Sequence, residues 1–411
     1  MNKQLNLAVA GAVLALSATA ANAGIMIPAG DWTLDVGGVV NTYYTSTRTS
    51  GNTTFGSAPL GINNDTGTRT TSNITTGLLP NYLSVSGKTR QNDLDVGFTI
   101  SINPGVSTKN AGKQSAQQEN RQAFVTFGDK SWGSIKLGKD LGIFASDAIL
   151  NDMTLLGVGS AAGGLAGNTT TLGRIGTGFI YADWKSQVAY SSPNFNGFSF
   201  TGGVTQAWNA ESGGVGISST STGRGGASPA FEGKVSYEFA GDVGGKVWVS
   251  GITQKVDKLN TIDPITLLPG QRNDRAEAYD IGATVNLAGF GLTGYYYDGR
   301  GIGQTLQLFD GFDLAGKRRD SNGGYVQGTY TVPGVGTKLG VSWGESMIDG
   351  NRGETLRELK DEMWTIGAYH PLTKHLNLVA EYSDVKHKLN TTAGNTDGKS
   401  KTVALGAILF F

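Results

Sequence analysis

Apolar and polar residues alternate strictly along many short stretches of this chain. Apolar side chains occupy every second position of residues 93–102, from Leu94 to Ile102, and the pattern returns at the end of the sequence, from Val403 to Phe411. A period of two is typical of a β-strand with one apolar face. The runs cover about 9–13 residues each, which is the length a tilted strand needs to cross a bilayer. The pattern therefore predicts membrane-crossing strands.

Sixteen such segments fit the sequence between residues 32 and 411. They are predicted to begin near Trp32, Tyr82, Asp93, Asn120, Gly133, Gly178, Asn196, Ala230, Val243, Arg275, Phe290, Asn322, Val335, Asp361, Lys374 and Ser400.

The connections between these segments alternate between short and long. The short ones are rich in Gly, Pro, Asn and Asp, as tight hairpin turns require, and cover residues 91–92, 128–132, 192–195, 241–242, 288–289, 333–334 and 371–373. The long ones cover residues 46–81, 103–119, 140–177, 209–229, 254–274, 301–321, 346–360 and 387–399.

This alternation predicts an all-β fold, a transmembrane antiparallel β-barrel of sixteen strands. Short turns on one side and long loops on the other are typical of outer-membrane barrels. An even number of strands lets the last strand pair with the first, so that no unpaired edge faces lipid. A β-sandwich would not need the regular long and short connections. A β-solenoid would show a fixed short repeat, which is missing from the sequence.

The first residues predict export from the cytoplasm. Lys3 is followed by a short apolar stretch, residues 5–16, and then by Ala21-Asn22-Ala23, an A-x-A cleavage pattern. We therefore expect a secretory signal peptide at residues 1–23 and a barrel domain at residues 24–411. After Gly24 no apolar run approaches the roughly 20 residues of a transmembrane helix.

Composition narrows the chemistry that the chain can perform. It contains no Cys, which excludes disulfides and thiolate metal sites. Its 33 basic and 33 acidic residues cancel, so no basic excess points to nucleic acid. The three histidines, His370, His375 and His387, are widely spaced, and no G-x-S-x-G motif accompanies them. We expect neither an enzyme nor a bound metal or cofactor.

Two stretches and the C-terminus resemble a known family. Residues 121–128 (R-Q-A-F-V-T-F-G) and 133–139 (G-S-I-K-L-G-K) are similar to the fourth and fifth strands of Gram-negative general porins, which read roughly R-x-A-x-V-G-L and G-x-L-x-L-G-R. Residues 190–198 (Y-S-S-P-N-F-N-G-F) resemble the family's Y-x-S-P-x-F-x-G-F turn. The terminal Phe411, with apolar residues at every second position before it, resembles the signal read by the barrel-assembly machinery.

The resemblance implies a homotrimer of sixteen-stranded barrels in the outer membrane of a Gram-negative bacterium, in contact with outer-membrane lipid and lipopolysaccharide. Each barrel would be a water-filled channel for passive diffusion of small hydrophilic solutes and ions. It also implies that the third outer loop, here residues 140–177, folds into the lumen and narrows it. The sequence departs from the family at Lys139, where Arg is usual, and in the run 82–87 (Y-L-S-V-S-G), which often opens with Arg.

Several charged residues are candidates for the pore constriction. Arg121 would face the lumen together with Ala123 and Val125 if Phe124 faced lipid. Alternation turns Lys136 inward, and the resemblance places Lys139 at the mouth of the inward loop. Asp147 and Asp152 on that loop would face these bases, while Arg174 and Lys185 would extend the basic wall. The candidates are thus Arg121, Lys136, Lys139, Asp147, Asp152, Arg174 and Lys185.

Two other functions stay open at this point. A substrate-specific channel would show a lumenal row of aromatic or arginine side chains, which the sequence does not reveal. A plugged structural or adhesive barrel would use its loops to bind a partner, and the apolar first half of residues 140–177 is compatible with a plug.

Overall fold

The computed structural model describes residues 24–51, 58–60, 69–107, 118–165, 167–214, 217–220, 227–263 and 265–411. The predicted signal peptide, residues 1–23, lies outside the described residues.

Almost all regular structure in the described part is β. The strands are β1 (Ile25–Ala29), β2 (Trp32–Gly51), β3 (Thr70–Thr75), β4 (Tyr82–Gln91), β5 (Leu94–Pro104), β6 (Gln118–Glu119), β7 (Ala123–Asp129), β8 (Gly133–Leu141), β9 (Trp184–Ser191), β10 (Phe198–Thr205), β11 (Glu211–Gly214), β12 (Ile217–Thr220), β13 (Ala230–Phe239), β14 (Val243–Ile262), β15 (Pro269–Leu287), β16 (Phe290–Arg300), β17 (Asp320–Thr331), β18 (Lys338–Asp349), β19 (Leu356–Pro371), β20 (Leu376–Thr391) and β21 (Gly394–Phe410).

Within the described residues, sixteen antiparallel strands close into the predicted barrel. The wall runs from β2 through β4, β5, β7, β8, β9 and β10 to β13, and then consecutively to β21. Closure occurs where β21 pairs with β2, from Val39 opposite Phe410 to Gly51 opposite Gly398. The short strands β1, β3 and β6 pair onto this wall, and β11 pairs with β12 outside it.

Alternation assigns the two faces of the wall. Leu83, Ile100, Val125 and Val188 are between 39% and 55% exposed, although they are apolar. Their sequence neighbours turn inward. An apolar outer band is what a barrel in lipid requires, because water is excluded there. No helix among the described residues is long and apolar enough to span a membrane.

Several strand ends differ from the predictions. β9 begins at Trp184 rather than near Gly178, because Phe179, Ile180 and Ala182 are fully buried in the interior instead of joining the wall. The hairpins at the outer end are longer than predicted. The strands β14 and β15 extend into the predicted loop 254–274, and β20 and β21 extend into the predicted loop 387–399.

Residues 142–165 and 167–183, here called the inner segment, fold into the barrel between β8 and β9. They contain α1 (Ser146–Leu150), a 3₁₀ helix (Met153–Leu156) and α2 (Ala162–Leu165). Phe144, Val158 and Phe179 of this segment are 0% exposed. They belong to one apolar cluster with inward wall residues such as Trp248 and Tyr325. The expected polar lumen is therefore apolar where the inner segment covers the wall.

Candidate functional site: the constriction of the lumen

Two buried glutamates on the wall bind the backbone of the inner segment. Ile143 and Phe144 donate their N–H groups to Oε2 of Glu232 on β13, at 2.7 and 2.8 Å. Val158 and Gly159 donate theirs to Oε2 of Glu381 on β20, at 2.7 and 2.9 Å. A carboxylate that accepts two N–H groups makes strong, charge-assisted hydrogen bonds. The two glutamates thus fix the segment at widely separated points of the wall.

Asp280 and three tyrosine hydroxyls complete this attachment. Oδ2 of Asp280 accepts the N–H of Ala145 at 3.1 Å and the hydroxyl of Tyr295 at 3.1 Å. Tyr325 donates to the carbonyl of Ala148 at 2.8 Å. Tyr43 donates to the carbonyl of Leu156 at 2.7 Å. Backbone groups that the short helices of the segment leave unpaired are therefore paired with the wall.

Arg174 and Asp152 lie together inside the segment. Asp152 caps the 3₁₀ helix by accepting the N–H of Thr154 at 3.0 Å, and its carboxylate lies 3.9 Å from Nε of Arg174. The Arg174 guanidinium also donates to the carbonyl of Met363 at 3.0 Å and to the hydroxyl of Ser342. Both charged side chains are 0% exposed. They hold the return of the segment against the wall and do not face an open passage.

Asp147 lies on α1, and two lysines of the wall bind it. Nζ of Lys234 and Nζ of Lys246 each lie 2.7 Å from one oxygen of its carboxylate. Burial alone would raise the pKa of Asp147, but the two ammonium groups outweigh this effect and hold its pKa below the ordinary value. Asp147 and Asp152 were expected to face Arg121, Lys136 and Lys139, and their described partners are different bases.

Lys185 is fully buried on β9. Its ammonium donates to Oε1 of Glu232 at 2.6 Å and to Oε1 of Gln307 at 2.5 Å. Thr205 donates to the same glutamate oxygen at 2.7 Å. Glu232 therefore joins Lys185, the inner segment and an outer loop in one network.

Arg121 is 6% exposed and contacts the inner segment. Its direction does not follow from the alternation along β7, on which the prediction was based. It donates to Thr169 at 3.2 Å and to Glu119 at 2.8 Å. The prediction that Ala123 and Val125 face the lumen is wrong. Val125 lies on the exposed outer face of the wall, where it pairs with Phe98 of β5.

A local irregularity in the wall explains this difference. Three residues separate Glu119 from Ala123. Only two residues separate their pairing partners on β5, Asn103 and Ile100. Such a bulge reverses the alternation of the side chains. Arg121 precedes β7 at this bulge, so the alternation along β7 does not fix its direction.

Lys136 and Lys139 lie on opposite faces of β8. Lys136 is paired with Asp140, and its ammonium lies 4.8 Å from the ring centroid of the inward Phe124. Lys139 pairs with Ala123 on one side and Ser186 on the other, the outer face that Leu137 shares. This placement differs from the expectation for Lys139, because the register of β8 continues without a shift up to Leu141.

The part of the lumen wall beside the inner segment is polar. Inward hydroxyl groups on β4 to β10 bond to one another, with Ser86 at 2.9 Å from Thr99 and Ser191 at 3.0 Å from Thr201. The Lys136 side chain on β8 is 29% exposed, and those of Lys234 and Lys246 on the adjoining β13 and β14 are 17% and 22% exposed. The carboxylates of Asp140 and Asp147 are only 7% and 5% exposed. The three lysine side chains are therefore more exposed than the carboxylates of Asp140 and Asp147, while Glu238, 3.7 Å from Lys246, is an exposed acidic neighbour.

Several of these residues were not predicted from the sequence, although the alternation pattern contained a signal. Glu232 and Lys234 lie between the outward Phe231, Gly233 and Val235, so the pattern itself turns them inward. The same reasoning applies to Asp280 and Glu381. A charged residue at an inward position of an otherwise apolar strand therefore indicates a wall residue that binds the inner segment.

The described residues contain no group of three or more His, Asp or Glu side chains that could hold a metal ion.

The sequence matches the family model described as Gram-negative porin over residues 8–390. No curated protein matches it. Among solved structures, the fold is similar to the outer membrane channel DcaP of Acinetobacter baumannii, with a TM-score of 0.65, 14% identity and coverage of 93% of this chain and 99% of that chain.

Two further structures have the same fold. One is the anion-selective porin from Comamonas acidovorans, with a TM-score of 0.59, 15% identity and coverage of 92% of this chain and 100% of that chain. The other is the trimer form of in-vitro folded OmpT, an outer membrane protein of Vibrio cholerae, with a TM-score of 0.54, 14% identity and coverage of 92% and 99%.

Proposed function

Since this chain belongs to the Gram-negative porin family, we propose how its own residues set the width and the charge of the channel that it forms. The protein is an outer-membrane channel for the passive diffusion of small solutes, and it is not an enzyme. Its work is therefore done by the geometry and the electrostatics of the lumen.

The inner segment is the constriction, and solutes pass between it and the wall formed by the hydroxyl-lined strands β4 to β10 and the adjoining β13 and β14. Lys136, Lys234 and Lys246 give this passage a preference for anions. The observation that supports this proposal is the difference in exposure, since the three lysine side chains are partly exposed while those of Asp140 and Asp147 are almost fully buried; Glu238 is the exposed acidic group beside Lys246. In a narrow passage with a low-dielectric wall, fixed charges of one sign raise the local concentration of the opposite ion.

The other candidate residues have a different role in this proposal. Arg121, Asp147, Asp152, Arg174 and Lys185 position the inner segment, because each is nearly or fully buried in contacts with the segment or with the wall that binds it. Lys136 alone among the original candidates lines the passage. Lys139 lies on the outer face and is left out of the proposed constriction.

The selectivity of the channel tests this proposal. The double variant Lys234→Gln with Lys246→Gln should move the reversal potential of the channel, measured in a planar bilayer under a salt gradient, toward that of a cation-preferring pore. Lys255→Gln is the matched control, since Lys255 pairs with Asp257 near the outer end of β14. An unchanged reversal potential in the double variant would contradict the assigned role.

We also propose the assembly and surroundings of the channel. Three copies form a homotrimer, as the trimer form of the similar Vibrio cholerae protein suggests. The outer face contacts lipid and lipopolysaccharide, and the barrel-assembly machinery reads Phe411. Residues 1–23 serve as the export signal and residues 24–411 as the mature barrel. Native mass spectrometry of protein extracted from outer membranes measures the number of copies and the mass of the mature chain together.

A further inference from the structure

The outer loop formed by residues 301–319, here called the mouth loop, is buried to an extent unusual for a loop between strands. It connects β16 to β17, and every one of its residues is described. Ile302 and Leu308 are 1% and 0% exposed, and Gln304 and Gln307 are 3% and 6% exposed. Connecting loops normally run over the surface, because their polar groups need water. The polar groups of this loop must therefore find partners inside the barrel.

The base of the loop is fixed to the wall by apolar contacts and an ion pair. Phe312, together with Leu308 nearer the tip, packs in a cluster with Val256 and Leu259 of β14. The guanidinium of Arg319 donates to both carboxylate oxygens of Glu354, at 3.1 and 2.6 Å. A two-point arginine–carboxylate contact fixes direction as well as distance.

The tip of the loop is polar and is bonded to the inner segment. The side-chain amide of Gln307 donates to the carbonyls of Tyr181 and Ala182 at 3.1 and 3.2 Å, and its oxygen accepts Nζ of Lys185. The N–H of Tyr181 donates to the carbonyl of Thr305 at 3.0 Å. The tip therefore rests on the return of the segment that forms the constriction.

A second glutamine ties the tip to the opposite part of the wall. The amide of Gln304 donates to Oδ2 of Asp361 at 2.6 Å and to the carbonyl of Ser346 at 3.1 Å. Oδ1 of the same aspartate lies 2.9 Å from Nδ1 of His387. Asp361 lies on β19 and His387 on β20, so this contact lies on the other side of the loop from Lys185.

These partners show that the loop crosses the lumen. Lys185 belongs to β9, which is separated from β16 by β10, β13, β14 and β15 along the wall. A loop lying on the rim contacts the strands next to its own. A loop that reaches β9 in one direction and β19 in the other must pass over the interior, above the inner segment.

We infer that the mouth loop is a second constriction, which limits the size of the solutes that reach the inner segment. Gln304 and Gln307 set the position of its tip, and Arg319 and the apolar cluster hold its base. The two constrictions divide the selection, since the mouth loop selects by size and the lysines beside the inner segment select by charge. The inference rests on the proposed passage beside the inner segment and adds a separate determinant to it.

A shortened loop tests the inference directly. Gly303 and Phe309 already form a β-bridge, so deletion of residues 304–308 joins two positions that are neighbours in space. We expect the single-channel conductance to rise about twofold, and sugars larger than those admitted by the parent protein to enter proteoliposomes in a swelling assay. The reversal potential should stay unchanged, because Lys234 and Lys246 are untouched.

A point-substitution variant keeps the test valid if the deletion prevents folding, which a heat-modifiability gel reports. Gln304→Ala with Gln307→Ala should raise conductance and the size limit in the same direction, and Gln271→Ala, on an exposed hairpin, should change neither. Unchanged conductance and size limit in a folded variant overturn the inference. A parent protein that conducts no current overturns the proposed passage itself, so the two failures are distinguishable.

Discussion

At the scale of single residues, the wall of this barrel binds its inner segment through carboxylates that accept backbone N–H groups. Glu381 is the clearest case, because it accepts two N–H groups of the segment and the hydroxyl of Tyr369. A buried acceptor with three donors cannot be replaced by water without leaving some of these donors unpaired.

Glu381→Gln should therefore loosen the middle of the inner segment. The neutral amide offers one acceptor oxygen and brings an NH₂ group toward existing donors, so the cost is about 1–3 kcal/mol of local stability. We expect faster hydrogen exchange at Val158 and Gly159 and larger fluctuations of the open-channel current. Glu362→Gln, on the outward face of the neighbouring strand β19, is the control. Equal exchange rates in both variants would show that Glu381 does not hold the segment.

Whether a side chain faces the lumen or the outer surface was predictable where the strand was regular. It was not predictable where the strand contained a bulge. Alternation alone turns Glu232, Asp280 and Glu381 inward, as observed. Arg121 was assigned through the wrong face of β7, because the bulge before Ala123 reverses the alternation and leaves no sign in the pattern of apolar residues. The partners of Asp147 were not predictable either, since they lie on β13 and β14 and depend on the path of the inner segment.

At the scale of elements, α1 of the inner segment is attached through one carboxylate and two ammonium groups. The pKa of Asp147 lies below its ordinary value in the folded protein. A depressed carboxyl pKa contributes stability that is present above the unfolded pKa and is lost as pH falls through the folded pKa.

The attachment of α1 should accordingly persist from neutral pH down to the ordinary carboxyl range, about pH 4, and fail only below it. The loss of this attachment is followed by recording the conductance and the current noise of the parent channel from pH 7 to pH 3. At pH 7, Asp147→Asn should already show the conductance and current noise that the parent shows below about pH 4. Asp397→Asn, at the exposed outer end of β21, should behave like the parent at every pH. A parent channel that already resembles Asp147→Asn at pH 6 would contradict this reasoning.

The strands and turns were largely predictable, and the interior was not. Period-two alternation and Gly-, Pro- and Asn-rich turns located all sixteen wall strands, because both signals are local. The aromatic side chains of Tyr295 and Tyr325 were not recognised as a lumenal row. They lie 5.7 Å apart between ring centroids and are buried under the inner segment, so they contact protein and not a solute.

At the scale of the whole molecule, the barrel closes beside its last residue. Phe411 accepts the N–H of Gly38 at 2.7 Å and donates its own N–H to the Gly38 carbonyl at 3.1 Å. These two hydrogen bonds are a small share of the long pairing between β2 and β21.

Deletion of Phe411 should therefore leave the refolded barrel intact and impair its assembly in cells. We expect heat-modifiable protein after refolding in detergent but a strongly reduced amount in isolated outer membranes, because the role proposed for this residue is recognition by the assembly machinery. Leu378→Ala, on the neighbouring strand β20 and facing outward, is the control. A normal amount of the deletion variant in outer membranes would refute that role.

The apolar cluster between the inner segment and the wall has a consequence for biogenesis. Strands β14 to β21 carry apolar side chains on their outer face and, where the cluster lies, on their inner face as well. Before docking, such strands are poorly soluble on both sides. The inner segment precedes all of them in the chain, so during N-to-C export its docking surface reaches the periplasm before the strands that it will cover. From this order we expect the inner segment to be present in the periplasm when the apolar inner faces of the later strands need to be covered.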